Sequence, residues 1–467
     1  MEERHGARPQ HQVSSSSGGS YAHPPECRII DLPPVVILEI FRHLDPRELS
    51  VVACVCPLFR ILASDSHGWK EYYCERWGLP GAVAPAHEWK QLYVARETRC
   101  KALLGRFKLD LLCGHTETVR AVRMVPARNL VVSAGYDSSV RIWDVGDGLP
   151  AAWSQPLGET IRAVAVDGEL LAVGGSSVVR VWHASPGCSH LFDLARNSSG
   201  RFLRGHSGPV TCLGLDAGAL YSGSWDMTVK IWKRHRLEKF SQSLHHSDWV
   251  WGLVARGECV LSTSGSDAYS WDVETGALLR FRPCVHRGNA LAVEGSRTGS
   301  FLITGGEDGA VRVFDNRIPP SVTLAGECSE NDAVAAWLPH SAAVNSLAFD
   351  DPSLVSASAD GSIALMDLRH VMRKGSIKSR AAATVKRPYT CVVKGDTVQR
   401  MLSSGGSCAY SVDIGSDRIV SAGEGTAIKV WDFSQALEFE KKTQALRSVR
   451  REQRAQRKLA IKNRRKE

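Results

Sequence analysis

One short marker recurs seven times along this 467-residue chain, and that recurrence limits the possible folds more than any other feature. An apolar run ends in Trp-Asp or a relative at Trp143-Asp144, Trp182-His183, Trp232-Lys233, Trp271-Asp272, Phe314-Asp315, Met366-Asp367 and Trp431-Asp432. Six residues before the Trp position stands Asp137, Asp226, Asp308 or Asp360, with Gly425 in the last copy. Four residues earlier again stands Ser133, Ser222, Thr304, Ser356 or Ser421. His115, His206, His286 and His340 precede the aspartates by 20 to 22 residues. The fourth copy keeps His246, Thr263 and Asp267 but shortens the step to Trp271 by two residues; the second has Ser176 at the Asp position and no His.

Between the markers lie runs such as NLVVSAG, SVRIWDV and FLITGG, β-branched, roughly alternating and separated by Gly, Asp and Ser. That is strand and turn chemistry. Four short strands in a repeat of about 40 residues make one propeller blade, so residues 106–433 predict an all-β propeller of seven blades. The pattern resembles the WD-repeat family. The resemblance implies a hydrogen-bonded chain of His, Ser/Thr, Asp and Trp inside each blade, which makes His115, Ser133, Asp137, Trp143, His206, Ser222, Asp226, Trp232, Thr304, Asp308, Ser356 and Asp360 structural rather than catalytic. The physics agrees, because a buried indole N–H and a buried carboxylate each need a partner.

After Trp431-Asp432-Phe433 the chain becomes charged and offers no fourth strand for the seventh blade. Phe107 to Leu112 is a spare strand ahead of the first repeat, and pairing it into the last blade would close the ring and remove exposed edges. Two connections, 184–202 and 368–389, are longer than a blade needs. The second is basic, and reads either as a solvated loop or as a contact for an acidic or phosphorylated ligand.

The N-terminal part is of another kind. Residues 1–26 are rich in Ser, Gly, Pro and His and are expected to be a disordered arm. In 27–77, apolar residues recur at helical spacing in Ile37, Ile40, Phe41 and Leu44, again in Leu49, Val52, Ala53 and Cys56, and in Phe59, Leu62 and Ala63. Asp45 ahead of Pro46 supplies an N-cap with proline at the first helical position. The prediction is a small all-α unit of three helices, a helical linker over 78–105, with one helix over 86–104, and a basic helical tail over 434–467. Such a unit is too small to bury its apolar faces well alone.

Leu32-Pro33, Ile40-Phe41, Leu44 with Asp45-Pro46, Glu48-Leu49, Val55-Cys56, Phe59-Arg60, Leu62-Ala63 and Trp69-Lys70 resemble, in order and spacing, an F-box. The resemblance implies a unit that packs on a Skp adaptor and through it joins a cullin and a RING subunit, with Leu32, Pro33, Ile37, Ile40, Leu44 and Leu49 as candidate adaptor contacts. F-box, linker and propeller in this order resemble the F-box/WD-repeat class of substrate receptors. Their implied role is positional: the propeller holds a protein substrate beside a ubiquitin-charged enzyme. On the propeller face that bears the His and Asp turns, Tyr136, Trp225, Trp249, Arg120 and Arg162 are the candidate substrate residues, as aromatic and Arg side chains are common interface anchors.

Composition narrows the alternatives. No apolar run approaches the roughly 20 residues that span a bilayer, and no secretory signal is seen. The 13 cysteines are odd in number and lack a CxxC pair, which fits free thiols in an intracellular setting, nuclear or cytoplasmic, rather than a metal site. No P-loop, HExxH or GxSxG motif is present, so neither catalysis nor a cofactor is expected. Residues 438–467 carry 12 Lys/Arg against 4 Asp/Glu, so the chain's charge of +9 resides almost wholly in its tail. Lys462 to Lys466 reads as a nuclear import signal or as part of a solvated charged helix. Nucleic acid is not the expected partner, because no aromatic follows Phe439. Two other readings stay open: a non-proteolytic scaffold with a nucleic-acid-binding or nuclear-targeting tail, and an adaptor for a different cullin through Asp315-Asn316-Arg317 and Asp367-Leu368-Arg369, which resemble a WD-x-Arg motif without its Trp.

Overall fold

A computed structural model describes residues 29–77, 89–185, 191–194, 200–237, 239–296, 299–319, 332–368, 398–403 and 406–464. The expected arm at 1–26 lies outside the described residues, as do part of the 184–202 connection, residues 86–88 of the linker and the basic stretch at 369–397. The chain divides into two compact units, Met1–Gly68 and Trp69–Glu467.

The first unit holds helices α1 (Pro34–Arg42), α2 (Pro46–Val52) and α3 (Pro57–Leu62), and α4 (Ser66–Trp77) begins in it. Proline opens each of the first three, where its missing N–H is no loss. Asp45 caps α2 as the sequence predicts: its carboxylate accepts from Glu48 N–H at 2.8 Å, and Glu48 returns a bond from Asp45 N–H at 2.9 Å. Cys56 caps α3 through its sulfur, which accepts from Phe59 N–H. Phe41 and Phe59 meet edge to face at 5.3 Å.

The second unit is a seven-bladed propeller of seven four-stranded antiparallel sheets. Its inner strands are Val119–Val125, Ala163–Val166, Val210–Leu215, Val250–Arg256, Ala290–Gly295, Val344–Asp350 and Ala409–Ile414. The next strand of most blades is buried along its whole length, as in Leu130–Gly135, Ala219–Ser224 and Ser353–Ser358. Packing on both faces explains why those strands read as unbroken small and β-branched runs. Lys108–Cys113 pairs antiparallel with Ala427–Asp432, so the strand ahead of the first repeat completes the seventh blade. The ring is closed by both ends of the repeat region.

Linker helix α5 (Trp89–Ala102) sits on the floor of this unit. Arg96 and Arg99 both bind the Asp350 carboxylate at the end of the sixth inner strand, and Arg99 also donates to Gly415 O. Trp69 and Tyr73 pack on Tyr93 and Trp89, tying the end of α4 to α5. The C-terminal helix α6 (Ser434–Arg464) leaves the last blade and packs against α5. Gly105 permits the approach: a Cβ there would stand 2.6 Å from the Cβ of Ala436. No helix among the described residues is long and apolar enough to cross a membrane.

Candidate functional site

The repeated polar residues hold the blades. In blade 1, His115 bonds Asp137 and Ser133, each at 2.7 Å, and Trp143 Nε1–H donates to Ser133 at 2.8 Å. Blade 3 repeats this with His206, Asp226, Ser222 and Trp232. In blade 5, His286 joins Asp308 and Thr304, and the chain stops there because the Phe314 side chain has no donor. Blade 6 differs: His340 bonds Ser356 and Ser362, and Ser362 relays to Asp360.

Blade 4 corrects the sequence expectation. Ser262, not Thr263, receives both His246 and the Trp271 indole, at 2.8 and 3.0 Å. Asp267 does not reach His246; it accepts from Cys284 N–H instead. The shortened step to Trp271 moves the carboxylate out of the chain, and Tyr269 packs edge-on against the imidazole in its place. In blade 2, Glu159 accepts from Ser176 and holds the turn that lacks its His and Asp.

Each inner strand begins beside the turn that carries the His and Asp in the blades that have them, so the first residues of the inner strands line one mouth of the central channel. The channel has a volume of about 570 Å³. In six blades the register of the inner strand slips at its second residue, at Arg120, Thr211, Trp251, Leu291, Asn345 and Tyr410. Such a bulge re-aims one side chain. Arg162 holds the matching place in blade 2, and all seven line the channel. Thr211 and Asn345 are engaged with the neighbouring blade, through Val250 O at 2.6 Å and Ala409 O at 2.9 Å.

Four of the other ring members take part in two groups of aromatic and cation–π contacts. Arg120 lies over the Tyr410 ring at 4.2 Å and Arg162 over Trp225 at 4.9 Å. Trp225 stacks on Trp249 at 4.9 Å, and Trp251 meets both edge to face. Trp249 is 43% exposed, and the buried indole N–H groups of Trp225 and Trp251 have no hydrogen-bond partner among the described residues. Of the five residues picked from the sequence, the structure brings together Arg120, Arg162, Trp225 and Trp249. Tyr136 is half-buried in its turn and does not line the channel. Trp251 and Tyr410 were missed, although aligning the repeats on the start of the inner strand finds them.

The far end of the channel is charged and internally matched. Arg256 binds Glu294 at 2.6 Å. Burial raises the Glu294 carboxyl, opposed by Arg256 and Arg123, and burial raises Asp413 as well. No group of three or more potential metal ligands occurs among the described residues. Arg317, of the Trp-less motif, is turned back onto its own Asp315 at 2.7 Å. Arg369 lies outside the described residues.

In the helical unit, Ile37 and Leu49 are buried and act as core, whereas Pro33 and Ile40 are exposed and Leu32 and Leu44 are half-buried. Large aliphatic residues outside the candidate adaptor contacts also point outward: Val35, Val51, Val55 and Ile61 are 67–75% exposed. Every one of the first three helices contributes to this apolar surface.

Known proteins share both parts. The F-box-like family matches residues 29–75, and the WD domain, G-beta repeat family matches 107–144, 197–233, 282–315 and 333–367. The chain is 44% identical over 440 residues to an F-box/WD-40 repeat-containing protein of Arabidopsis thaliana, covering 92% of this chain and 79% of that protein. This chain is an F-box/WD-repeat protein. A more distant F-box/WD-repeat protein, number 9 of Homo sapiens, is 24% identical over 73% of this chain and 56% of its own. The solved WD40 propeller domain of Doa1 superposes with a TM-score of 0.54 at 18% identity, over 70% of this chain and 97% of that domain, which shows the fold alone. Within the F-box/WD-repeat chain, the four matched repeats are blades 1, 3, 5 and 6. These are the blades whose His reaches an Asp directly or through one serine.

Proposed function

We propose that this F-box/WD-repeat protein is the substrate receptor of a Skp–cullin–F-box ubiquitin ligase, binding the Skp adaptor through its helical unit and a protein substrate through the channel mouth. The observation that carries the reading is the apolar surface of the helical unit. Residues such as Val55 and Ile61 lie open to water on a unit of under fifty residues, which is a surface that wants a protein partner. Leu32, Pro33, Ile40 and Leu44 belong to the same contact, while Ile37 and Leu49 support it from within. In the propeller, a half-exposed tryptophan stack beside Arg162 has the composition of an interface hot spot. The protein makes and breaks no bond itself; it raises the effective concentration of substrate lysines near the charged conjugating enzyme. The setting is intracellular, in the nucleus, the cytoplasm or both.

The test is co-purification from cells with wild-type protein, the double variant Leu32→Ala/Pro33→Ala, and the surface variant Val55→Asp/Ile61→Asp. Adaptor and cullin should accompany wild type and be lost from both variants, while a folded propeller is kept. Absence of adaptor from the wild-type sample would overturn the proposal.

A further inference from the structure

The outer rim of blades 2 and 3 is basic and aromatic. Arg201–Arg204 is the last strand of blade 2, with no strand on its far side. Leu203 is buried in one core cluster with Leu237, while Arg201, Phe202 and Arg204 are exposed, Phe202 by 53%. That cluster lays the loop after the short helix Arg234–Arg236 along this strand. Phe240 reaches the end of it: a Cβ on Gly205 would stand 3.2 Å from the Phe240 ring. Arg236, Lys239 and Phe240 are exposed as well. A cation backs each ring, Arg180 at 4.8 Å from Phe202 and Lys230 at 4.0 Å from Phe240. Among the described residues, Arg201, Arg204, Arg236 and Lys239 have neither an ion pair nor a hydrogen bond, whereas nearby Arg234 is held by Asp167 and Glu169. Residues 201–245 carry seven Lys/Arg against three Asp/Glu, while residues 1–437 together reach only +1. Two of those three acids are committed elsewhere, Asp226 to His206 and Asp216 to Tyr221. Glu238 lies outside the described residues.

We propose that this rim binds single-stranded nucleic acid, with bases stacked on Phe202 and Phe240 and phosphates against Arg201, Arg204, Arg236 and Lys239. Cations without carboxylates match a polyanion, and an open ring among them matches an unpaired base, whose flat face every nucleotide offers. An acidic protein surface would satisfy the cations and leave both rings unused. A duplex has its bases already stacked on one another. Phe202 and Leu203 point to opposite faces of the strand, so Phe202 lies on one side of it and Phe240 on the other. A chain crossing the rim meets the two rings in turn. From the tail alone nucleic acid is not expected, because no aromatic follows Phe439; the rim supplies the rings. The site uses neither the helical unit nor the channel mouth, and it stands apart from the receptor reading.

The experiment titrates the full chain into labelled single strands of about 12 nucleotides, RNA and DNA of one mixed sequence, read by fluorescence anisotropy at several salt concentrations. Wild type should bind the single strand about tenfold or more tighter than the matching duplex. Whichever of RNA and DNA binds tighter identifies the natural ligand. Phe202→Leu/Phe240→Leu keeps the charge and the apolar bulk, and should weaken binding about tenfold or more with the salt dependence unchanged. Arg204→Glu/Arg236→Glu/Lys239→Glu alters only exposed side chains, and should lower the slope of log affinity against log salt by about 2. Both variants should keep the wild-type melting temperature. Wild-type affinity in the leucine variant would show that the basic tail alone holds the strand. A glutamate polymer that competes as well as the oligonucleotide would assign the rim to an acidic protein. Either result overturns the proposal, as does equal affinity for the duplex.

Discussion

Ser222 serves two partners at once. Its oxygen accepts from the Trp232 indole at 2.9 Å, and its hydroxyl meets His206 Nε2 at 2.7 Å, leaving His206 Nδ1–H for Asp226. Removing that oxygen strands two buried groups, so Ser222→Ala should cost about 2–4 kcal/mol, read as a shifted urea midpoint with unchanged slope. The histidines also make the propeller acid-sensitive. Burial lowers His115, His286 and His340, and pushes His246, which lacks an aspartate, to about 4. In the unfolded chain these residues take up protons near pH 6.5, so stability is full above that value and falls as the pH drops towards 4. Asp226 and Asp308 act in the same direction at lower pH: burial alone would raise them, but bonds from His206 and Thr228, and from His286 and Arg312, hold them well below the usual carboxylate range. The melting temperature should therefore be flat above pH 7 and decline below about 6.5, and NMR should show the His246 ring neutral until about pH 4. A melting temperature that rises on acidification would contradict this assignment.

At the scale of elements, ring closure depends on one strand. Leu112 is 1% exposed and packs with Val430, Trp143 and Val119 across the junction of the last and first blades. Leu112→Asp should destabilise by about 3–5 kcal/mol and open the ring, measured by faster proteolysis. Leu112→Met should cost under about 1.5 kcal/mol. The linker helix is held by charge. Asp350→Ala leaves Arg96 and Arg99 facing each other without their carboxylate, and should cost about 3 kcal/mol and raise amide exchange in α5. The closing strand was legible because its run of alternating apolar residues had no repeat of its own to serve. The docking of α5 was not, because Arg96, Arg99 and Asp350 lie some 250 residues apart in sequence and carry no local pattern.

At the scale of the whole molecule, the net charge is concentrated in the tail. The tail helix also shows Phe439, Leu446 and Val449 to solvent. Deleting residues 445–467 should leave the propeller's melting temperature unchanged while abolishing nuclear accumulation of a fluorescent fusion, if the terminal basic cluster acts in import. Unchanged distribution would assign the helix another role. The apolar residues of the first three helices lie in the other compact unit, so adaptor binding and substrate binding should be separable: Val55→Asp/Ile61→Asp affects the first and Arg120→Glu/Arg162→Glu the second.

The seven Trp-Asp-like markers were enough to determine the blade number, and the spare strand ahead of the first repeat determined the closure; where the His, Ser or Thr, Asp and Trp set is complete, each buried donor has an acceptor at a fixed place in the same sheet. The helical spacing and the Asp45-Pro46 cap likewise determined the first three helices of the N-terminal unit, but not α4, which was not expected. Three things were decided only in space. Blade 4 chose Ser262 over Thr263, since which of two adjacent hydroxyls faces the histidine depends on strand register. Ile37 and Leu49 turned inward while Val55 and Ile61 turned outward, since apolar spacing marks a helix face without saying what covers it. The mouth of the channel drew one side chain from each of seven blades, from Arg120 to Tyr410, and no local pattern joins residues that only a closed ring brings together.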